Sequence, residues 1–518
     1  MGKRTVLAIV LSATVLFGYS LLVSKMYPTE NKENVAKSVD ILSSVSVPSS
    51  KLTSMPTESL SPVLEPQEYV EFENDKFKII FANPGAYIHK IILKEYSEEF
   101  FLEDLFIVPE ELNSKFKVRQ LPGVITFTFK GNGREIIRRF SISNDSYSIV
   151  LERSERGLSG DVSNPARQIL LASKVVERSA YENRFMELAI NTPKKTIRKK
   201  LLSLRDGTLF SQMSDWVGVR DRYFTFLVRP SAAAQNVFIG KDASGVKIGL
   251  TVGDAPVTSL SSSQQVDVFT IYCGPQDLDE LSKLNVGFEN IVHFGFFDPI
   301  SQVLLAVLKF FFRFTHNWGV AILLFGIFIS LILYPLSLKQ IRSMKEMQIL
   351  QPKVKELQER YKENPQQLNK ATMELYKEHR VNPLGGCLPM ILQIPVFFAL
   401  YQALMRFIGL RGATFLWIKD LSQPDRLIPF SQEYPIIGDG FNLLPILMMG
   451  SMFMQQKFSA AAMSGGGSSD QQRMMMFMMP LLFGFIFYRM PSGLVLYWLI
   501  YGTLSGLNQW FNTRKKTS

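Results

Sequence analysis

The sequence predicts a membrane α-helical bundle, a five-span core plus an N-terminal anchor, with an all-β domain of β-sandwich type on one side of the bilayer. Three observations predict it. Residues 65–285 mix polar and apolar positions, whereas residues 286–512 hold long apolar runs. Lys and Arg gather in some of the loops between those runs and not in others. A separate apolar run, Thr5 to Ser24, follows Lys3 and Arg4 at the start. The 518 residues are enough for two or three domains.

A cleaved signal peptide has an apolar core of about 7–15 residues and then an A-x-A-like site. Here the run is long enough to span a bilayer. It is followed by Leu22-Val23-Ser24-Lys25-Met26-Tyr27, with no small-residue pair at the right spacing. Residues 1–24 are therefore expected to remain as a transmembrane anchor, with Lys3 and Arg4 in the cytoplasm. Residues 25–64 are rich in Ser, Thr, Pro, Lys and Glu and read as a flexible tether, too polar to bury a core.

Residues 65–285 read as strands. Phe77 to Phe81 and Tyr87 to Leu93 flank a turn at Asn83-Pro84-Gly85, and Val124 to Lys130 alternates with period two. Ile136 to Ile142, Tyr147 to Leu151, Tyr223 to Val228, Val246 to Val252 and Val266 to Tyr272 continue the pattern. Many short strands with turn signals between them predict a β-sandwich. No metal-ligand spacing, G-x-S-x-G or phosphate loop occurs, so no catalytic residue, metal or cofactor is expected; His89 reads as solvated. Cys273 and Cys387 make no disulfide framework.

Asp298-Pro299 then opens a helix, Asp at the N-cap and Pro at the first helical position. Gln302, Lys309, Arg313 and His316 form one narrow polar stripe on an otherwise apolar surface. Residues 286–316 are expected to lie in the membrane interface, with Lys309 and Arg313 toward the headgroups.

The core, residues 317–512, offers five spans: Val320 to Leu338, Cys387 to Met405, Phe441 to Met454, Met474 to Phe487 and Leu494 to Trp510. The last three are shorter than the usual span of about 20 residues. The loop after the first of these carries Lys339, Arg342, Lys345, Lys353, Lys355, Arg360, Lys362, Lys370, Lys377 and Arg380, and the tail 513–518 is also basic. The stretch Gly409 to Gly440 has only Arg411, Lys419 and Arg426. The positive-inside rule then places both termini in the cytoplasm and residues 25–316 on the periplasmic side of a cell inner membrane. The same rule explains the net charge of +11 better than nucleic-acid binding does. Within 339–386, Leu350, Val354, Leu357 and Tyr361 recur at helical spacing, Asn364-Pro365 interrupts, and Leu368, Thr372, Leu375 and His379 form a second face. This reads as a helical hairpin. Its charged surface, including Lys353, Lys355, Arg360 and Lys370, suits either solvent or something acidic such as ribosomal RNA.

Several motifs in the core are shared with a known family. Asn317-Trp318-Gly319, Leu333-Tyr334-Pro335-Leu336, Ser343-Met344-Lys345 and Leu350-Gln351-Pro352-Lys353 come in order. Val381-Asn382-Pro383-Leu384-Gly385-Gly386-Cys387, Gln393-Ile394-Pro395-Val396-Phe397 and Pro491-Ser492-Gly493-Leu494-Val495-Leu496-Tyr497 follow. Together they resemble the YidC/Oxa/Alb family of membrane insertases, in its Gram-negative form. The resemblance implies a groove open to cytoplasm and lipid, which receives hydrophobic segments of nascent membrane proteins, alone or with the Sec translocon. It implies the ribosome and membrane lipids as further partners, and no small-molecule substrate. The groove residues expected here are Gly326, Ser330, Gln393, Tyr497 and Trp498. One departure stands out: the family's arginine in this span is Ser330 here, and no Arg or Lys lies between Val320 and Leu338. The abundant methionines, among them Met448, Met449 and Met452, fit either an adaptable client surface or packing. The competing reading, a polytopic transporter or channel, would want charges paired within spans or repeated broken helices, and neither is present.

Overall fold

The computed structural model describes residues 68–514 except 132, 158–166, 177–179, 211–212, 243–244, 253–263, 363, 380, 382–387, 435–436 and 464–468. The expected anchor, tether, Cys387, the glycines at 385–386 and the end of the basic tail lie outside the described residues.

The β region follows from alternation. In Val124–Gly131, Ile125 and Phe127 turn inward while their threonine neighbours are half-buried; in Arg134–Ile142, Ile136, Arg138, Phe140 and Ile142 turn inward. These strands belong to a nine-stranded antiparallel sheet. Its spatial order is Thr196–Lys200, Glu187–Asn191, Trp216–Arg220, Phe224–Pro230, Gln264–Pro275, Ser148–Gly157, Arg134–Ile142, Val124–Gly131 and Lys117–Leu121. A four-stranded sheet, Glu68–Glu73, Phe77–Asn83, Tyr87–Leu93 and Glu98–Glu99, packs on it: the Phe81 ring lies 4.9 Å from Phe140 and 5.4 Å from Phe127. A second four-stranded sheet joins Arg167–Ala172, Gly245–Val252, Ala234–Asp242 and Thr208–Phe210. The region is a β-sandwich, as expected.

Two features of its interior depart from the sequence reading. His89 is not simply solvated: its Nδ1 lies 2.7 Å from Asp104, whose carboxyl burial pushes up. Within the core, the Glu111 carboxylate is fully buried between Arg138 and Arg153, and Arg138 also donates to the carbonyls of Gly85 and Ala86 at 3.0 Å each. Burial pushes Glu111 up, but the two guanidinium groups outweigh it and hold the carboxyl at about 2. Cys273 is buried and free, and burial pushes its thiol up.

The helical region begins with α1, Leu278–Lys283, capped by the Asp277 side chain on the Asp279 N–H. Next is α2, Asp298–Thr315, with Pro299 in its first turn. Asp298 is not its N-cap: the carboxylate accepts instead from the Phe294 N–H at 2.7 Å and the Gln302 amide at 2.9 Å, bracing the loop that enters the helix. Leu304 and Leu308 face the core, whereas Ile300, Val303, Phe310 and Phe314 are exposed. Lys309 does not turn outward either. It pairs with Asp277 at 3.2 Å and Asp279 at 2.7 Å, tying α2 to the end of the β region, while Arg313 remains exposed.

The expected first core span and first hairpin helix form one continuous helix, α3, Trp318–Arg360. Asn317 caps it by accepting from the Val320 N–H. Between Leu338 and Leu350 the chain has no glycine or proline and is mostly good helix formers such as Lys, Gln, Arg, Met and Glu, with Ser343 the lone cap-type residue, so the helix continues. The paired helix α4, Pro365–Glu378, starts where Asn364 accepts from the Gln367 N–H. After α5, Leu388–Arg406, comes an unforeseen two-stranded hairpin, Ile428–Tyr434 with Gly438–Phe441. Then follow α6, Leu443–Met463, α7, Ser469–Phe487, and α8, Ser492–Arg514. These last helices have 21, 19 and 23 residues, longer than their apolar runs, because polar turns such as Gln455-Gln456-Lys457 continue the helix. Among the described residues one stretch, Trp318–Met347, is by itself long and apolar enough to cross a membrane; Phe477–Phe487 is a shorter apolar one.

Candidate functional site

The helices form a core in which α8 is central. It packs along α6 and α3, α7 lies on α6, and α2 bridges α3 and α5, while α5 touches α3 and α8 only lightly. The Ser301 hydroxyl donates to the Ala399 carbonyl at 2.8 Å, fastening α2 to α5. The loose seam between α3, α5 and α8 is where four of the expected groove residues fall.

Gln393, on α5, is buried and donates through Nε2 to the Tyr497 hydroxyl of α8 at 3.3 Å. Trp498 lies beside it, its ring 5.2 Å from Phe397 of α5 and 6.0 Å from Phe487 of α7. Ser330 sits on α3 one turn beyond Gly326, on the same face. Gly326 itself does not line a space. A Cβ there would come within 3.0 Å of Ile500, so its small size serves the close contact of α3 with α8.

Three buried polar atoms in this seam find no hydrogen-bond partner among the described residues: the Ser330 hydroxyl oxygen, the Gln393 carbonyl oxygen and the Trp498 indole nitrogen. Leaving such a group unpaired costs about 1–3 kcal/mol. Three on neighbouring helices make a polar seam inside an apolar bundle. The rest of the lining is aromatic, with Phe397, Phe487 and Tyr501 around Tyr497 and Trp498. Sequence reasoning missed Tyr501, although it stands one helical turn from Tyr497 and stacks on it at 6.1 Å. On the outer flank of α5, Ile394 and Phe398 are exposed.

The charged residues expected to make contacts do not join this site. Lys353, Lys355, Arg360 and Lys370 lie far along α3 and α4, all exposed, with Lys353 3.0 Å from the His379 ring. At the opposite end of the core, Arg222 of the β region is buried against the helices. It donates to the Met405 carbonyl at 2.7 Å and the Ser422 carbonyl at 3.2 Å, taking up an end group of α5. Arg406 donates to the His293 carbonyl at 2.6 Å, and Arg411 pairs with Glu98. No cluster of His, Cys, Asp or Glu able to hold a metal occurs among the described residues.

Two families match adjacent parts of the chain. One described as 60Kd inner membrane protein covers residues 310–518, and one described as YidC periplasmic domain covers residues 110–307. A protein of Pelobacter propionicus named membrane protein insertase YidC is 32% identical, over 98% of this chain and 98% of its own. One of the same name from Geotalea uraniireducens is also 32% identical, again over 98% of both chains. Among solved structures, that of an active YidC insertase is 17% identical with a TM-score of 0.42, over 88% of this chain and 94% of the other.

Proposed function

This chain belongs to the YidC family of membrane protein insertases, and from that premise we propose that the seam between α3, α5 and α8 is the groove through which it passes client segments into the bilayer. The observation that carries the reading is the set of unpaired polar atoms on Ser330, Gln393 and Trp498. The hydroxyl can donate and accept, the amide oxygen accepts and the indole N–H donates, where a hydrocarbon environment offers none of these. Water or the polar flank of a client can use them, which lowers the barrier for that flank to cross. Beside them, exposed apolar groups such as Ile394 and Phe398 give the client's hydrophobic segment a path out to lipid. No covalent bond is made or broken in this cycle.

The protein resides in the inner membrane. The loop charges support five core spans after an N-terminal anchor, with both termini cytoplasmic and the β region periplasmic. The exposed apolar row Ile300, Val303, Phe310 and Phe314 supports α2 as the interfacial element. The α3–α4 hairpin is then the cytoplasmic element that meets the ribosome, and nascent membrane proteins, lipids and the Sec translocon are the other partners. Because Ser330 replaces the family's arginine, insertion here relies on hydrophobic sliding along a hydrated seam and not on a fixed charge. Photocrosslinkers at 330, 393 and 497 should capture a stalled single-span client. Capture only from Leu481 or Phe485, exposed on α7, would move the groove elsewhere.

A further inference from the structure

One end of the large sheet is lowered onto the outer end of the helical core. Arg220 closes the strand Trp216–Arg220, and Arg222, two residues on, binds the carbonyls of Met405 and Ser422. Arg220 donates to the carbonyls of Ile291 and His293, and His293 also receives Arg406, the last residue of α5. The sheet register carries this level sideways: Arg220 pairs with Glu187, and Glu187 with Lys200 of the edge strand. Two residues further up the edge strand, Arg198 donates to the Asn290 carbonyl. At about 3.4 Å per strand residue, Lys200 therefore stands level with the end of α5, where a span gives way to headgroups. The loop before Glu187 is anchored at the same level, since the Phe185 ring lies 5.8 Å from the Arg222 guanidinium and 6.0 Å from that of Arg406.

What the chain places on this rim is basic and apolar together. Lys199 and Lys200 are exposed at the strand end and Arg205 is exposed just beyond. None of the three pairs with an acid among the described residues. Between them the turn Leu201–Ser203 buries Leu201 completely, its N–H on the Met186 carbonyl, and that anchoring leaves Leu202 pointing out, 44% exposed. Asp206 is the one acid from 194 to 210, against six Lys and Arg. An unpaired edge strand with a cationic tip and an outward leucine, held at headgroup height, is complementary to an anionic lipid surface.

We propose that Lys199, Lys200 and Arg205 bind anionic phospholipid headgroups of the leaflet beneath the β region, with Leu202 seated among the upper acyl carbons. The proposal rests on the reading that α5 crosses the membrane. Each cation at such a surface favours the bound state by about five-fold.

The test uses the full chain with Cys387→Ala, spin-labelled at Leu202→Cys, in nanodiscs of phosphatidylethanolamine with or without phosphatidylglycerol. Collisional access to oxygen and to a nickel chelate reports depth. The expected result is a several-fold rise in the oxygen-to-nickel ratio at 202 when phosphatidylglycerol is present. The triple variant Lys199→Glu, Lys200→Glu, Arg205→Glu should lose that rise, and raised salt should weaken it. A label at Phe314→Cys on α2 separates the two readings. If 314 reports lipid and 202 reports water in both nanodiscs, the headgroup proposal is overturned and the membrane reading stands. If both report water, the membrane reading beneath it fails. If 202 is shielded only when other membrane proteins are present, whatever the lipid charge, the rim is a protein-docking edge and the proposal is likewise overturned.

Discussion

At Ser330, on the proposed groove, the size and polarity of a single side chain should set how much water the seam admits. Alanine removes one hydroxyl already unpaired in the structure, so insertion of a single-span client, read by protease protection, should fall only mildly. Leucine fills the seam and dries it, and should reduce insertion far more. Arginine should be tolerated, because Gln393 and water can solvate a guanidinium beside the Tyr497 hydroxyl. Abolition by alanine in a folded protein would mean that the serine has a specific role. Glu111 illustrates the same logic inside the β region. Glu111→Gln leaves Arg138 buried without its counter-ion, while Arg153 keeps Glu155 at 2.8 Å and Asp267 at 3.6 Å, and should cost about 3–5 kcal/mol. Since the folded-state value is depressed to about 2, this group's stabilisation is fully present above the ordinary carboxylate range and is lost as pH falls toward 2. Calorimetry of the detergent-solubilised protein should show that acid sensitivity in the parent and a weaker one in Glu111→Gln.

Elements divide into those whose ends are written locally and those whose ends depend on partners. The α3–α4 junction is of the first kind: α3 ends at Arg360, and Asn364 caps α4, a cap legible in Asn364-Pro365. Asn364→Ala should cost about 1 kcal/mol and raise hydrogen exchange across the first turn of α4 with little change in α3. The alternating strands were legible for the same local reason. Strands such as Trp216–Arg220, buried on both faces, and Thr196–Lys200, nearly all polar, show no alternation, so the sequence offered no periodic signal for either. The motifs singled out Gln393, Tyr497 and Trp498, which the structure sets side by side, yet Gly326 packs against Ile500, because spacing reports which face a residue occupies and not what stands opposite. The ion pairs of Lys309 were not legible for a related reason: its partners, Asp277 and Asp279, lie some thirty residues earlier in the chain.

For the molecule as a whole, the β region and the helical core share buried polar contacts, so they should not behave as independent bodies. Arg222→Ala removes the guanidinium from the carbonyls of Met405 and Ser422, which should cost about 1–3 kcal/mol and loosen the start of the 407–427 loop, visible as faster exchange there. Replacing the whole of 68–275 by a short linker should leave insertion detectable but the core less stable by a similar amount, whereas removing the segment around Asp298 should abolish it. In spheroplasts, an impermeant thiol reagent should label Leu121→Cys and not Lys355→Cys; labelling of 355 without lysis would sink the proposed topology. The unbroken α3 also has a mechanical meaning. Pro335 and Pro352 each withhold one hydrogen bond from the helix, and Pro335, nearer the core, supplies a natural fulcrum. From there to Pro352 the stiff arm is about 26 Å, and to Ser330 about 7.5 Å the other way, at 1.5 Å per residue. A load on the hairpin at that level would thus act as on a crowbar with an arm ratio of about three: a travel of about 7 Å there would shift the Ser330 turn by about 2 Å, with correspondingly greater force.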